Sequence, residues 1–404
     1  MKKTILYIGN FSFPLGNAAG KRVYANGKLL KDLGYDVIFI GLTKESSLLQ
    51  PLEKTKKEYD GFTYYEYPYP QKTLDWVNYK KIYTSLIKFL VNEKIIDELF
   101  SVIYYGSPTL SLFNRKLISY CKKQDIKVLS DCVDWLTTKT NNPLFDMVKW
   151  IDTTYQKAYV NKKVDGVISI SNYLSNYYKG YGCKTVIIPP LSPVEYIVSK
   201  KLNNAEFKKI ISYAGIPFRK GKEVTDCNTL KDRIDKIIIL LYKAKKEGFN
   251  FIFNIYGFTK DEYLQTIPTQ KKYIDYLDNN IIFHGIKTNE EVIESIQNSD
   301  FTILIRDINR DTTAGFPTKV SESISCGTPV ITTQTSDLKD YIIEGKNGFF
   351  INQTDEYIMF EDLKRILSID KKEINIMKQY CLESKKFYYK SFANEMEEFL
   401  KTIS

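Results

Sequence analysis

Short apolar runs recur along this chain, each divided from the next by a helical pattern. "TILYIG" (4–9) is followed by the loop "NFSFPLGNAAG", a helical stretch "KRVYANGKLLKDLG" closed by Gly34, and then "YDVIFIG" (35–41). Parallel strands need such a crossover, so this opening reads as a βαβ unit. The rhythm continues through "SVIYYG" (101–106), "IKVLSD" (126–131), "VDGVISIS" (164–171) and "KTVIIPP" (184–190). After "IPPLSPVEY" it restarts with "KKIISYAG" (208–215), "FNFIFNIYG" (249–257), "NIIFHG" (280–285), "SDFTILIRD" (299–307), "TPVITT" (328–333) and "GFFI" (348–351). Helices fill the intervals, including 230–247, 260–277 and 355–402; the Pro- and Tyr-rich segment 43–78 reads as a long loop or hairpin. At 404 residues the chain is too long for one ordinary core. The expected fold class is α/β, two doubly wound parallel-sheet domains facing a cleft. The first domain takes 1–190 with a closing helix from about 387 to 404, 191–207 is the linker, and 208–386 form the second.

Composition narrows the function classes. The net charge of +10 favours acidic partners such as phosphorylated substrates or an anionic membrane. The lysines are scattered in small clusters that read as a solvated surface, and no arginine-rich arm or zinc-finger spacing points to nucleic acid. The six cysteines form no C-x-x-C pair; Cys121, Cys132 and Cys326 lie in or beside apolar patterns and read as reduced thiols of a cytoplasmic protein. "MKKTILYIGN" has too short an apolar run for a signal peptide, and no window reaches the ~18 apolar residues of a membrane span. The basic stretch "NYKKIYTSLIKFLVNEKII" (78–96) fits either an anionic membrane surface, as at the inner face of the membrane, or a plain amphipathic core helix, with preference for the latter.

The stretch "AGFPTKVSESISCGTPVI" (314–331) carries the most chemistry. Pro317 fits the first turn of a short helix, about 317–326, and Gly327 the position after its end. The helix start, with Gly315, Phe316, Pro317, Thr318 and Lys319, lies beside a strand's carboxyl end, where free N–H groups and the dipole favour a phosphate. Glu322 follows about a turn and a half in. There it either accepts from vicinal ribose hydroxyls, as acidic residues do in dinucleotide sites, or points to solvent as on any α/β helix. Arg306, a charge ending the strand before this loop, is a further site candidate.

This stretch resembles the signature of retaining glycosyltransferases of the GT-B fold, family four, the glycosyl transferases group 1. The family pattern is Glu-Gly-Phe-Gly, a second Glu eight residues after the first, then a small-residue run ending Gly-x-Pro-Val. Gly315, Phe316, Glu322, Gly327, Pro329 and Val330 match, whereas Ala314 stands at the first Glu position, near the transferred sugar in the family. The resemblance implies two Rossmann-like domains, with a nucleotide diphosphate sugar held by Glu322, the 315–319 helix start and Arg306. It also implies that Gly16, Asn17, Ala18 and Arg22, in the first loop and helix after the first strand, face the donor phosphates or the acceptor. In "SYAGIPFRKG…LKDRID" a basic pair would hold the diphosphate: Arg219 with Lys220 or Lys231. Charge neutralisation of a leaving diphosphate is the physical reason for such a pair.

The family's first-domain His is missing. The single histidine, His284, follows an apolar run and reads as structural. Tyr105, Asp131 and Asp134 are the polar residues at the matching strand ends; Asp134 fits either an acceptor hydroxyl or a helix cap. The chain has no D-x-D for a metal-held nucleotide, one His and only scattered Cys, which disfavours zinc, a P-loop-like "GIPFRKGKE" of the wrong spacing, and no G-x-G-x-x-G. The expected activity is metal-independent, retaining transfer from a nucleotide sugar to a glycan or lipid-linked acceptor in bacterial surface polysaccharide or glycoconjugate synthesis, with no cofactor and with Arg219, Lys231 and Asp134 at the chemistry. A non-catalytic GT-B member that binds sugar or stabilises a partner transferase is the alternative, and a nucleotide-sugar epimerase a weaker third, since it needs acid–base groups this chain does not readily supply.

Overall fold

The structure is a computed structural model. It describes residues 3–43, 51–68, 79–106, 111–135, 143–196 and 208–404, with the backbone alone at 42–43, 68, 79–82 and 143–145. Most of the expected linker, 197–207, and much of the 43–78 segment lie outside the described residues. The chain divides into one unit of 1–193 with 389–404 and a second of 194–388.

The first unit is built on an eight-stranded sheet. Its strands are β1 (Thr4–Gly9), β2 (Asp36–Thr43), β3 (Lys57–Tyr59), β4 (Phe62–Pro68), β5 (Leu99–Tyr105), β6 (Lys127–Cys132), β7 (Gly166–Ser169) and β8 (Thr185–Ile187), in the order β3-β4-β2-β1-β5-β6-β7-β8. All neighbours are parallel except β3 and β4. The hairpin β3–β4 adds its second strand in parallel to β2, so part of the 43–78 segment is sheet. The strand is held from both faces: Tyr65 and Tyr67 are buried on one and Phe62 on the other. β1, β5 and β6 are buried almost end to end, as a sheet covered on both faces requires. The helix Tyr79–Asn92 turns Leu86, Phe89 and Leu90 into the core beside Leu117 and Ile118. Its apolar side therefore faces the core, as the amphipathic core-helix reading expects. The closing helix Ala393–Ile403 packs on this unit too: Tyr389 donates to Asp32 at 3.0 Å, and a Cβ on Gly166 would stand 2.6 Å from the Phe399 ring.

The second unit holds a six-stranded, wholly parallel sheet: β9 (Lys209–Ala214), β10 (Phe251–Tyr256), β11 (Ile281–Phe283), β12 (Phe301–Leu304), β13 (Val330–Thr332) and β14 (Gly348–Phe350), ordered β11-β10-β9-β12-β13-β14. The strand order reverses between β9 and β12, which makes their carboxyl ends the natural ligand position of this sheet. Two sequence expectations need correction. The interval 260–277 is two helices, Lys260–Thr266 and Lys271–Leu277, because Pro268 interrupts the hydrogen-bond ladder. The loop before Gly315 contains the helix Arg310–Ala314, capped reciprocally by Asn309 and Thr312.

Candidate active site

In the second unit the charges gather where the sheet order reverses. Arg306 follows β12, and its Nε donates to Asp232 Oδ1 at 2.6 Å. Lys319, in the first turn of the helix Thr318–Ser325, donates from Nζ to Asp232 Oδ2 at 2.8 Å. Tyr213, on β9, donates its hydroxyl to the same oxygen at 2.9 Å. Asp232 is 3% exposed. Burial opposes its charge, but Lys319 and Arg306 overcome it and hold its carboxyl well below the usual carboxylate range. Burial and the Asp232 charge push the Tyr213 hydroxyl well above its ordinary value, so it stays a donor. Two cations against one carboxylate leave a net positive charge at this strand end, as an anionic ligand would require.

The backbone there is held close. Gly215, with φ of +153°, follows β9, and a Cβ on it would stand 2.3 Å from Cε of Lys319. Gly257, with φ of +117°, follows β10, and its Cβ would stand 2.5 Å from the Gly215 carbonyl oxygen. Only glycine fits these two positions. The neighbouring basic network is separate: Arg233 donates to both oxygens of Asp235 and, with Lys236, to Asp307.

The helix Thr318–Ser325 starts one residue later than its sequence suggests. Pro317 is its N-cap, with no side-chain cap, so its first N–H groups are not satisfied by a capping side chain. It ends at Cys326, and Gly327 takes φ of +83° as expected of a helix stop. Gly315 and Phe316 are buried; the Phe316 ring packs edge-on against Tyr341 and Phe387, so this residue shapes the loop from beneath. Thr318 and Glu322 are half-buried. Glu322 stands near the Tyr196 hydroxyl, which burial, Cys326 and Glu322 together push upward. Ala314 is fully buried at the end of its short helix. Arg219 and Lys231 are exposed, whereas Lys220 is paired with Glu262 at 2.6 Å. His284 stacks on Tyr256 at 4.4 Å and bonds Asn254 at 2.8 Å, a structural placement.

In the first unit the corresponding strand ends hold a different arrangement. Asn17 caps the helix Ala18–Asp32 by accepting from the Gly20 N–H at 2.7 Å, and Gly16, Asn17 and Ala18 are exposed. Arg22 is turned inward. It is 5% exposed, donates to Asp131 at 2.7 and 3.1 Å, and gives Nη1 to the carbonyls of Ile188 and Pro189. Tyr7 donates to the other side of Asp131, and Asn26 donates to Tyr7. Arg22 thus braces the sheet, and of the four candidates Gly16, Asn17, Ala18 and Arg22 only the first three reach the surface. Tyr105, half-buried, ends β5; burial followed by Asp131 and Asp134 raises its hydroxyl above the ordinary value. Asp134 is exposed just after β6, next to Trp135, whose ring meets Tyr173 and Tyr177 edge-on. Among the described residues no group of three or more His, Cys, Asp or Glu is placed to hold a metal ion.

Sequence reasoning missed Asp232, the residue that joins Arg306 to Lys319, and the Tyr213 hydroxyl beside it. The available signal was an acid inside "LKDRID" immediately before the apolar run of the helix Ile234–Lys246.

Comparison with known proteins agrees with this fold. Residues 231–381, most of the second unit, match the family model described as Glycosyl transferases group 1. No curated protein matches the chain in sequence. Solved structures match it along its length. Sucrose-phosphate synthase from Thermosynechococcus elongatus superposes with a TM-score of 0.67 at 15% identity, covering 99% of this chain and 98% of that one. The Anabaena protein HepE in complex with UDP and glucose gives 0.59 at 12% identity, covering 99% of each chain. The α,α-trehalose 6-phosphate synthase from Burkholderia multivorans gives 0.65 at 10%, again covering 99% of each. Residues 231–381 thus resemble a group 1 glycosyl transferase domain, and the chain as a whole has the two-domain GT-B fold.

Proposed function

We propose that this protein transfers a sugar, with retention of configuration, from a nucleoside diphosphate sugar to a glycan or lipid-linked acceptor. The observation that carries this reading is the convergence of Arg306 and Lys319 on Asp232 where the second sheet reverses its order. A diphosphate at the start of the Thr318–Ser325 helix would meet its open N–H groups and the surplus positive charge beside Asp232. Lys231 and Arg219, exposed on the adjoining loop, would complete the neutralisation of the leaving diphosphate. Glu322, a turn further along, would accept from the ribose hydroxyls. Asp232 itself is a positioning residue. Same-face attack, in which the donor phosphate takes the acceptor's proton, needs neither a protein nucleophile nor a metal. The acceptor would lie on the first domain, near Asp134, Tyr105 and the exposed 16–18 loop. Six free cysteines suit a reducing compartment, and the reading places the protein in the cytoplasm, in surface polysaccharide or glycoconjugate synthesis.

UDP-glucose is the first donor to test, because HepE was solved with UDP and glucose. Incubation of the purified chain with nucleotide sugars, followed by nuclear magnetic resonance of the product, should show nucleoside diphosphate release and an unchanged anomeric configuration. An inverted product would overturn retention. Ala314 at the position of a family glutamate favours one other reading, a non-catalytic sugar-binding member. Nucleotide binding with no transfer and no hydrolysis of any donor would select it.

A further inference from the structure

The helix Pro143–Tyr155 has its polarity reversed. It buries Thr153, half-buries Asp146, Lys149 and Asp152, and is followed by the buried Gln156. Met147, Val148, Trp150 and Ile151 are instead 52, 57, 63 and 51% exposed. At 3.6 residues per turn these four share one side of the helix. A surface helix of a globular protein ordinarily turns its apolar stripe inward. Single exposed apolar residues need no explanation, but a contiguous group of this size does.

The rim of this face is aromatic and basic. Tyr155 and Tyr159 stack with centroids 5.1 Å apart. Arg115 donates to the Tyr155 hydroxyl at 2.9 Å, and Lys163 donates to the Tyr159 hydroxyl at 2.6 Å while lying 4.1 Å from its ring centroid. Neither cation makes an ion pair among the described residues. Asp152, on the same helix, is engaged by the backbone N–H and hydroxyl of Ser111. Among the described residues no helix is long and apolar enough to cross a membrane.

We propose that this face docks on an anionic lipid bilayer. Met147, Val148, Trp150 and Ile151 enter the boundary between headgroups and acyl chains, and Arg115 and Lys163 meet lipid phosphates. Apolar insertion and basic attraction together are what hold a peripheral helix at a membrane, and Tyr and Trp suit that depth because one end of each is apolar and the other polar. The net charge of +10 acts in the same direction. The inference holds whatever donor the second domain takes, because vesicle binding requires no nucleotide.

The test is co-sedimentation of the full chain with vesicles of phosphatidylglycerol and phosphatidylcholine, with vesicles of phosphatidylcholine alone, and at low and high salt. Binding is expected on the anionic vesicles, with a blue shift of tryptophan fluorescence, and is expected to weaken with salt. Trp150→Ser with Ile151→Ser, and separately Arg115→Glu with Lys163→Glu, should each weaken it by about tenfold or more. All four positions are exposed, and an unchanged thermal midpoint verifies that the variants fold. No binding to anionic vesicles, or equal binding by both variants, would overturn the proposal. So would a dimer in solution that Trp150→Ser dissolves, which would make the face an interface between copies.

Discussion

Lys319 reaches Asp232 with its Nζ 2.8 Å from the carboxylate, and its stem passes where a Cβ on Gly215 would stand. Gly215 follows β9, Lys319 opens the helix after Gly315, and Asp232 precedes the helix Ile234–Lys246. The ion pair therefore joins two segments, and its lysine stem packs against a third, where the sheet order reverses.

Gly215→Ala should disturb this tie. The new methyl group meets Lys319 Cε, and φ of +153° suits glycine far better than alanine. We expect destabilisation of about 1–3 kcal/mol, the usual range for a residue held in a sparsely populated backbone conformation. Nucleotide binding should weaken as well. Denaturant unfolding and nucleotide titration of the variant measure the two effects separately.

Asp131→Asn should affect the first domain alone. It leaves Arg22, 5% exposed, without its carboxylate, and breaking one half of a buried pair costs about 3–5 kcal/mol. A lower unfolding midpoint for the first domain, with nucleotide affinity of the second retained, is the expected outcome. Loss of nucleotide affinity in a variant still folded would show that Arg22 and Asp131 act on the donor.

His284 sets a pH dependence. Burial, then Lys287, lowers its pKa below the ordinary histidine value. The folded state therefore disfavours the imidazolium. The stability from the neutral ring is fully present above about pH 6.5, the unfolded histidine value, and is lost as pH falls toward the folded pKa. Thermal midpoints measured between neutral and mildly acidic pH should fall more steeply for the natural protein than for His284→Gln. Parallel profiles would contradict this.

The sequence made the strands legible because parallel strands buried on both faces must be short and apolar. "TILYIG" and "FNFIFNIYG" correspond to β1 and β10 within two residues. The breaks were harder to read. Pro268 divides a helical pattern whose apolar periodicity runs on either side, and Asn309 starts a five-residue helix too short to show a period. At the site, Glu322 and the 315–319 turn stand out because glycine and proline punctuate them. Asp232 does not, since its partners lie 74 and 87 positions away and only the sheet order brings them together. Arg22 points the same way: the family resemblance turned it toward the donor phosphates or the acceptor, but the i, i+4 pair Arg22 and Asn26 lies on the buried face of its helix beside Asp131.

In the proposed function the second domain would hold a nucleoside diphosphate against Glu322 and the Thr318–Ser325 helix. The most direct measurement is a thermal-shift panel of UDP, GDP, ADP, TDP and CMP, with and without Mg²⁺, on the natural protein and Glu322→Ala. A ligand at a hundred times its dissociation constant stabilises the folded state by about 2.7 kcal/mol, enough to see. One diphosphate is expected to raise the midpoint of the natural protein without Mg²⁺ and to fail to raise that of Glu322→Ala. A panel in which no nucleotide shifts the natural protein, or in which the variant responds equally, would contradict it.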